Sequence, residues 1–187
     1  MKPIKFFLQY LFCPRKIGAV LPSSDYLAEK MIETVEFQSA KYIVEYGSGT
    51  GVFTDKIIKY RKTDTILMLF ESNKVFCETL KEKYKSENNL IIVNDTAENI
   101  DKYVKKYGFP YIDYVISGLP FASLPKNVSN VILNKTKKLL KNGGKFITFQ
   151  YTLFKKALFN QYFEEIDIKR EYRNVPPAYV LCCQNYV

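Results

Sequence analysis

The chain contains no histidine. That absence excludes every imidazole-based catalytic triad, every histidine-ligated metal site and the commonest general base near neutral pH. Cysteine is scarce too. Cys13, Cys77, Cys182 and Cys183 lack metal-ligand spacing, and the adjacent pair is poorly placed to bridge itself, so a reduced, cytosolic setting is expected, with no metal. The apolar-rich run near the N-terminus is about ten residues, short of the ~20 that a membrane-spanning helix needs. Linkers, internal repeats and low-complexity segments are also missing, so the 187 residues read as one domain with a single core. What the chain has in excess is positive charge: 28 Lys and Arg against 19 Asp and Glu give +9, which favours an anionic partner, either nucleic acid or an anionic lipid surface.

Residues 2–13 carry Ile4, Phe7, Leu8 and Leu11 on one helical face, with Phe6, Tyr10 and Phe12 spreading apolar surface beyond it. Lys2, Lys5, Arg15 and Lys16 flank the run. The pattern suits either an interfacial helix lying among lipid headgroups or a helix packed across the mouth of a site. Next comes the loop Ile17–Ser24 with its Gly18-Ala19 step and Pro22-Ser23-Ser24. It leads into a helix whose apolar face is Leu27, Ala28, Met31, Ile32 and Val35, with Ser23 or Ser24 as N-cap.

From Tyr42 onward short apolar strands alternate with amphipathic helices. Strands are expected at 42–46, 66–70, 90–93, 111–116 and 145–151, and helices at 53–61, 73–85, 97–107 and 127–141, the last stopped by Asn142-Gly143-Gly144. A further helix near 153–162 precedes two stretches, 163–172 and 179–186, which bracket Asn174-Val175-Pro176-Pro177 as an antiparallel pair. This is the pattern of an α/β fold: a mostly parallel seven-stranded sheet with helices on both faces and an antiparallel end.

In such sheets ligands bind beyond the C-terminal ends of the strands. After the first strand come Glu45, Gly47, Ser48, Gly49 and Gly51, where alternate glycines free the backbone to bend and to approach a ligand near a helix N-terminus. After the second come Glu71 and Ser72, about twenty residues past Gly51, where an acid can accept from ribose hydroxyls. After the third come Asp95, Thr96 and Ala97, placing a carboxylate for an exocyclic adenine amine. After the fourth come Ser117, Gly118, Leu119, Pro120 and Phe121. A single acid at a strand end is commonly a helix cap; three at successive strands beside a glycine turn point to a nucleoside ligand.

Glu45-Tyr46-Gly47-Ser48-Gly49-Thr50-Gly51, with Glu71 and Asp95 at matching spacing, resembles motif I and its partner acids in class I S-adenosylmethionine-dependent methyltransferases. The resemblance implies a Rossmann-like fold preceded by an N-terminal helical segment, with S-adenosyl-L-methionine as cofactor. It implies interfacial or lid helices over 1–37 and the cofactor-binding core over 38–187. Ile17–Ser24, Ser117–Pro125 and Asn174–Ala178 are similar to bacterial phospholipid N-methyltransferases, which methylate phosphatidylethanolamine. The related ribosomal RNA adenine dimethyltransferases carry Asn-Leu-Pro-Tyr after the fourth strand; here Gly118 replaces that Asn and Phe121 the Tyr.

The family Asn orients a planar adenine amine, and Gly118 has no side chain to do so. The chain also closes with its sheet, so the helical domain with which the RNA enzymes hold substrate is not expected. Both departures favour an alkyl amine, with Gly118, Leu119, Pro120 and Phe121 lining the acceptor side and Phe121 facing an ammonium through its ring. Without histidine, the amine's proton must pass to a tyrosine such as Tyr26, Tyr46 or Tyr179, to a carboxylate or to water. The expected enzyme is a phospholipid N-methyltransferase, cytoplasmic and held peripherally on the membrane through residues 2–16. Nucleic acid is the alternative partner, favoured by net charge alone.

Overall fold

The computed structural model describes residues 24–185; the readings placed on residues 2–16 and 17–23 lie outside them. The order is α1 (Asp25–Ile32), β1 (Tyr42–Tyr46), α2 (Val52–Tyr60), β2 (Ile66–Phe70), α3 (Lys74–Lys83), β3 (Leu90–Val93) and a 3₁₀ turn (Ala97–Asn99) running into α4 (Ile100–Lys106). Then follow β4 (Ile112–Ser117), α5 (Lys126–Leu139), β5 (Leu140–Gln150), α6 (Lys156–Phe159), β6 (Glu165–Glu171) and β7 (Ala178–Gln184). Ser24 is the N-cap of α1, its hydroxyl accepting the Leu27 N–H at 3.2 Å.

The seven strands lie in the order β3-β2-β1-β4-β5-β7-β6. The first five run parallel, and β7 is antiparallel to both β5 and β6, so β6 again points the same way as β5. Strand order reverses between β1 and β4, which opens a crevice at their C-terminal ends. Alternation along the strands splits the core in two. Val44, Tyr46, Met68 and Phe70 face Ile100, Val104, Ile132 and Leu133 of α4 and α5. Ile43, Leu67, Leu69 and Ile116 face Leu27, Met31, Phe53 and Ile57 of α1 and α2. Both faces are covered, which is why these strands read as continuous apolar runs.

Two local expectations are corrected. Helix α5 ends at Leu139, and β5 begins at the next residue, so Asn142-Gly143-Gly144 does not stop a helix. These residues form an irregularity within β5, where pairing with β4 jumps from Ile112↔Leu140 to Tyr114↔Lys145. Gly143 has φ +71°, and a Cβ on Gly144 would stand 2.9 Å from the Lys141 carbonyl and 3.1 Å from that of Asp113; the backbone crowding there demands glycine. The helix expected near 153–162 shrinks to the single turn of α6.

Candidate active site at the strand ends

The glycine turn after β1 runs through three left-handed glycines at alternate positions. Gly47, Gly49 and Gly51 take φ values of +69°, +53° and +86°. Gly51 is the N-cap of α2, and a Cβ there would lie 2.4 Å from the Tyr84 hydroxyl. The amides of the turn are already organised: Gly47 N–H donates to the Phe70 carbonyl at 2.8 Å and Gly51 N–H to the Ser48 carbonyl at 2.8 Å.

Glu45 is fully buried, and its Oε2 accepts from the Thr54 hydroxyl at 2.7 Å. Burial pushes its pKa up to about 8 against the opposing Thr54 bond, so it is a neutral acid at pH 7. Its Oε1 and the Oγ of Ser48 are buried and close enough for the Ser48 hydroxyl to oppose the rise in the Glu45 pKa, yet neither atom makes a hydrogen bond of good geometry. Two orphaned polar atoms below a left-handed glycine turn have the character of a small polar ligand's seat. Glu71, also buried, accepts from the Gly49 N–H at 2.8 Å through Oε2 and from the Asn73 N–H at 2.7 Å through Oε1. Desolvation raises its pKa, and those two amide bonds resist the rise. Ser72 is exposed beside it.

Asp95 accepts from the Thr96 N–H at 2.7 Å, from Asn99 Nδ2 at 2.9 Å and from the Tyr103 hydroxyl at 3.0 Å. Partial burial opposes ionisation there, but the bonds from Asn99, Thr96 and Tyr103 outweigh it and hold its pKa low. Thr96 is exposed, whereas Ala97 is buried and belongs to the core under the 3₁₀ turn.

Across the crevice, the loop after β4 interlocks with the glycine turn. Gly118 N–H donates to the Tyr46 carbonyl at 2.8 Å, and a Cβ on Gly118 would stand 2.9 Å from the Gly47 carbonyl oxygen. A Cβ on Gly47 would in turn meet the Leu119 side chain at 3.0 Å. The Ser117 hydroxyl accepts from the Leu119 N–H at 3.2 Å. The Pro120 carbonyl accepts from the amides of Ser123 and Leu124.

Three acceptor-side expectations need correcting. Phe121 is fully buried, its ring packed edge-on against Phe146 and Phe159, so it is core and not a pocket wall. Tyr46 is equally buried, its hydroxyl 3.0 Å from that of Thr136 on α5, and desolvation drives its pKa up, so it is no base. Tyr26 is half exposed, with the Arg173 guanidinium 4.1 Å from its ring. It lines a groove of about 450 Å³ along α1 with Glu29, Ile32, Phe37, Tyr60 and Arg173, which includes none of Gly118, Leu119, Pro120 or Phe121. Tyr179 stays at the strand ends, in register with Gln150 and Arg170.

The structure adds contacts that the sequence pattern did not show, at Gln150, Lys155 and the turn residue Asn174. Gln150, last in β5, accepts the Ala122 N–H at 3.2 Å and donates to the Leu119 carbonyl at 3.5 Å. Lys155 Nζ donates to the carbonyls of Phe121 at 3.0 Å and Leu124 at 3.2 Å. Asn174, buried in the β6–β7 turn, accepts from both the Ser24 amide at 3.1 Å and its hydroxyl at 2.9 Å, and gives Nδ2 to the Pro176 carbonyl at 2.7 Å. Reading every strand end, and not only the first four, would have marked Gln150; Lys155 and Asn174 act across gaps in sequence that no local motif displays.

A parallel sheet with an antiparallel end, switched at β1/β4 and carrying a glycine turn and three acids there, defines the class I methyltransferase fold. A family model described as ribosomal RNA adenine dimethylase matches residues 23–162, and the chain belongs to that family, whose methyltransferases use S-adenosylmethionine. Among curated relatives, it is 27% identical over 170 residues to the ornithine lipid N-methyltransferase of Singulisphaera acidiphila, covering 90% of this chain and 88% of that protein. It is 32% identical over 123 residues to the ribosomal RNA small subunit methyltransferase A of Borreliella afzelii, covering 64% of this chain but 40% of that one. An rRNA methylase from Streptococcus thermophilus superposes with a TM-score of 0.61 at 17% identity, over 84% of this chain and 93% of that one. At that identity the likeness is one of fold. Among the described residues, no helix is long and apolar enough to cross a membrane.

Proposed function

We propose that this methyltransferase acts on the primary amine of a lipid headgroup, phosphatidylethanolamine or a related aminolipid, at the membrane surface. The carrying observation is Gly118. With the Gly47 carbonyl 2.9 Å from where its Cβ would be, this backbone has no room for an amide side chain that could hold a planar adenine amine. A flexible alkyl amine needs no such platform. The near full-length match to the ornithine lipid enzyme supports the same acceptor class, whereas the chain spans 40% of the length of the ribosomal RNA relative.

In this reading Gly47, Ser48, Gly49 and Gly51 cradle the amino-acid end of the cofactor, with Glu45 and Ser48 offering the two orphaned polar atoms. Glu71 and Ser72 take the ribose; Asp95, Thr96 and Ala97 take the adenine; Ser117 closes the crevice. S-adenosylmethionine supplies a methyl already activated on a sulfonium. The protein's own task is then alignment, worth up to ~7–11 kcal/mol when geometry is ideal. Leu119 and Pro120 shape the acceptor side, their loop held by Gln150 at Leu119 and Ala122. Backbone carbonyls at the end of β4 accept from the amine N–H groups and turn its lone pair inward. The proton that the ammonium must first shed passes to water at the rim, directly or through a hydroxyl such as that of Tyr179, which takes it up as it releases its own. Of residues 1–37, α1 packs into the core through Leu27, Ala28 and Met31, which leaves the segment before it for interfacial and lid work, with residues 2–16 holding the enzyme peripherally on the cytoplasmic face of a membrane.

Ribosomal RNA is the second reading, favoured by the family match and the +9 charge. The two separate when labelled S-adenosylmethionine is supplied with aminolipid vesicles in one tube and ribosomal RNA in another. Label is expected in lipid; label only in RNA sinks the proposal.

A further inference from the structure

Two turns at the ligand-binding end of the sheet hold apolar side chains out in solvent while their flanks are tied down. The first follows β5. Phe154 is 90% exposed and Leu153 37% exposed, yet Lys156 N–H bonds to the Leu153 carbonyl at 2.9 Å and Lys155 Nζ is fixed on two carbonyls of the 119–124 loop. The second joins β6 to β7. Val175 is 64% exposed and Tyr172 69% exposed, beside a buried Asn174, anchored to Ser24 and Pro176, and the Glu171–Arg173 pair, bonded at 2.9 Å through Arg173 Nε and Nη2.

Because β6 runs parallel to β5, and Gln150, Tyr179 and Arg170 stand in register across three strands, both turns leave the sheet at the same end and the same corner. That end also carries the Gly47 and Gly118 loops. An apolar apex on a frayed loop would be unremarkable; one on a fixed turn keeps its surface in water permanently. The surroundings are cationic. Lys156 and Arg170 lie on these turns or at their bases and Lys126 opens α5 just past the 119–124 loop, while of the nearby acids Glu171 is matched by Arg173, and Asp25 and Glu29 by Lys56. Arg170 lies over the rings of Tyr172 and Tyr179, at 4.7 and 5.1 Å.

We infer that the 153–156 and 172–177 turns form a lipid-docking surface. Phe154, Leu153 and Val175 enter an anionic bilayer while Lys156 and Arg170 meet its phosphates, so that the crevice mouth faces the membrane. Leu153 and Val175, both aliphatic, suit acyl chains and give a base no ring to stack on, which favours a bilayer over nucleic acid. The inference rests on the lipid-amine reading for its purpose but not for its test.

The full chain carrying Phe154→Ser together with Val175→Ser is compared with wild type for co-sedimentation with phosphatidylcholine–phosphatidylglycerol vesicles. Affinity is expected to fall about tenfold or more. Melting temperature and S-adenosylmethionine affinity should not move, since neither residue touches core or crevice. Wild-type binding should weaken with added salt. Unchanged vesicle affinity in the double variant overturns the inference whatever the acceptor proves to be, and so does a variant that loses a ribosomal RNA fragment instead. If wild type docks through these turns yet methylates no aminolipid, the surface stands and the lipid-amine reading falls.

Discussion

The ligand-binding end of the sheet is built on two plans. Over β1, β2 and β3 its polar contacts centre on carboxylates. Thr54 reaches Glu45 across 9 positions, Gly49 reaches Glu71 across 22, and Tyr103 reaches Asp95 across 8. Over β4 to β7 the contacts are long-range and fall largely on backbone: Gln150 to Ala122 across 28 positions, Lys155 to Phe121 across 34, Ser24 to Asn174 across 150. The first half is a preformed seat for one small molecule. The second is a clamp that fixes one loop and leaves apolar turns in solvent. In the proposed reading the cofactor sits in the former and the acceptor is chosen by the latter.

Gly118 is where the two halves touch, and its substitution should have the largest effect. Gly118→Asn restores the residue of the RNA enzymes, yet its Cβ would press on the Gly47 carbonyl, a backbone atom with little room to yield. A cost of ~1–3 kcal/mol is expected, lowering the melting temperature by about 2–4 °C per kcal/mol. Cofactor affinity should fall about tenfold or more, because the glycine turn moves with it. No adenine methylation should appear. Normal melting and cofactor binding with new activity on RNA would mean that the halves are independent and the acceptor reading is wrong.

Substitutions within each half should then separate. Glu71→Ala leaves the Gly49 and Asn73 amides without their acceptor and should weaken S-adenosylmethionine binding about a hundredfold by calorimetry, at ~1.5–3 kcal/mol for bonds to a charged group. Gln150→Ala frees the Leu119 and Ala122 backbone. It should cost about tenfold in kcat/KM for the acceptor, the size of one or two neutral hydrogen bonds, with cofactor affinity within about twofold of wild type. A Gln150 variant that loses cofactor binding as well would break the division between seat and clamp.

The asymmetry also explains what was legible in the sequence. The strand and helix sequence through Tyr151 follows from hydrophobic period, and Glu45, Glu71 and Asp95 follow from position, because each lies within a few residues of the strand whose end it decorates. Which way a side chain turns at such an end was not legible. Phe121 looked like a pocket residue beside Gly118, but its neighbours Phe146 and Phe159 come from other elements, and the ring goes to them. Asn142-Gly143-Gly144 looked like a helix stop because the same glycines that end helices also serve strand irregularities, and only the register with β4 tells the two apart. Asn174 and Ser24 each read as turn or cap residues; that they bond to each other is a property of the closed fold.

The finest test of the seat is the proton on Glu45. A carboxyl whose folded pKa is about 8, raised by burial from an ordinary value near 4.5, keeps its proton after the unfolded chain has lost it. Between those values the unfolded state binds fewer protons, so stability must fall as pH rises, by at most about 1.4 kcal/mol per pH unit for this single group. Glu45→Gln keeps an oxygen to accept from Thr54 but cannot ionise. The variant should melt with wild type near pH 5, then increasingly above it towards pH 8, and cofactor affinity at pH 6 should change little. Parallel melting profiles for the two proteins across that range would mean that Glu45 is ionised under the turn, with its charge matched by contacts other than Thr54.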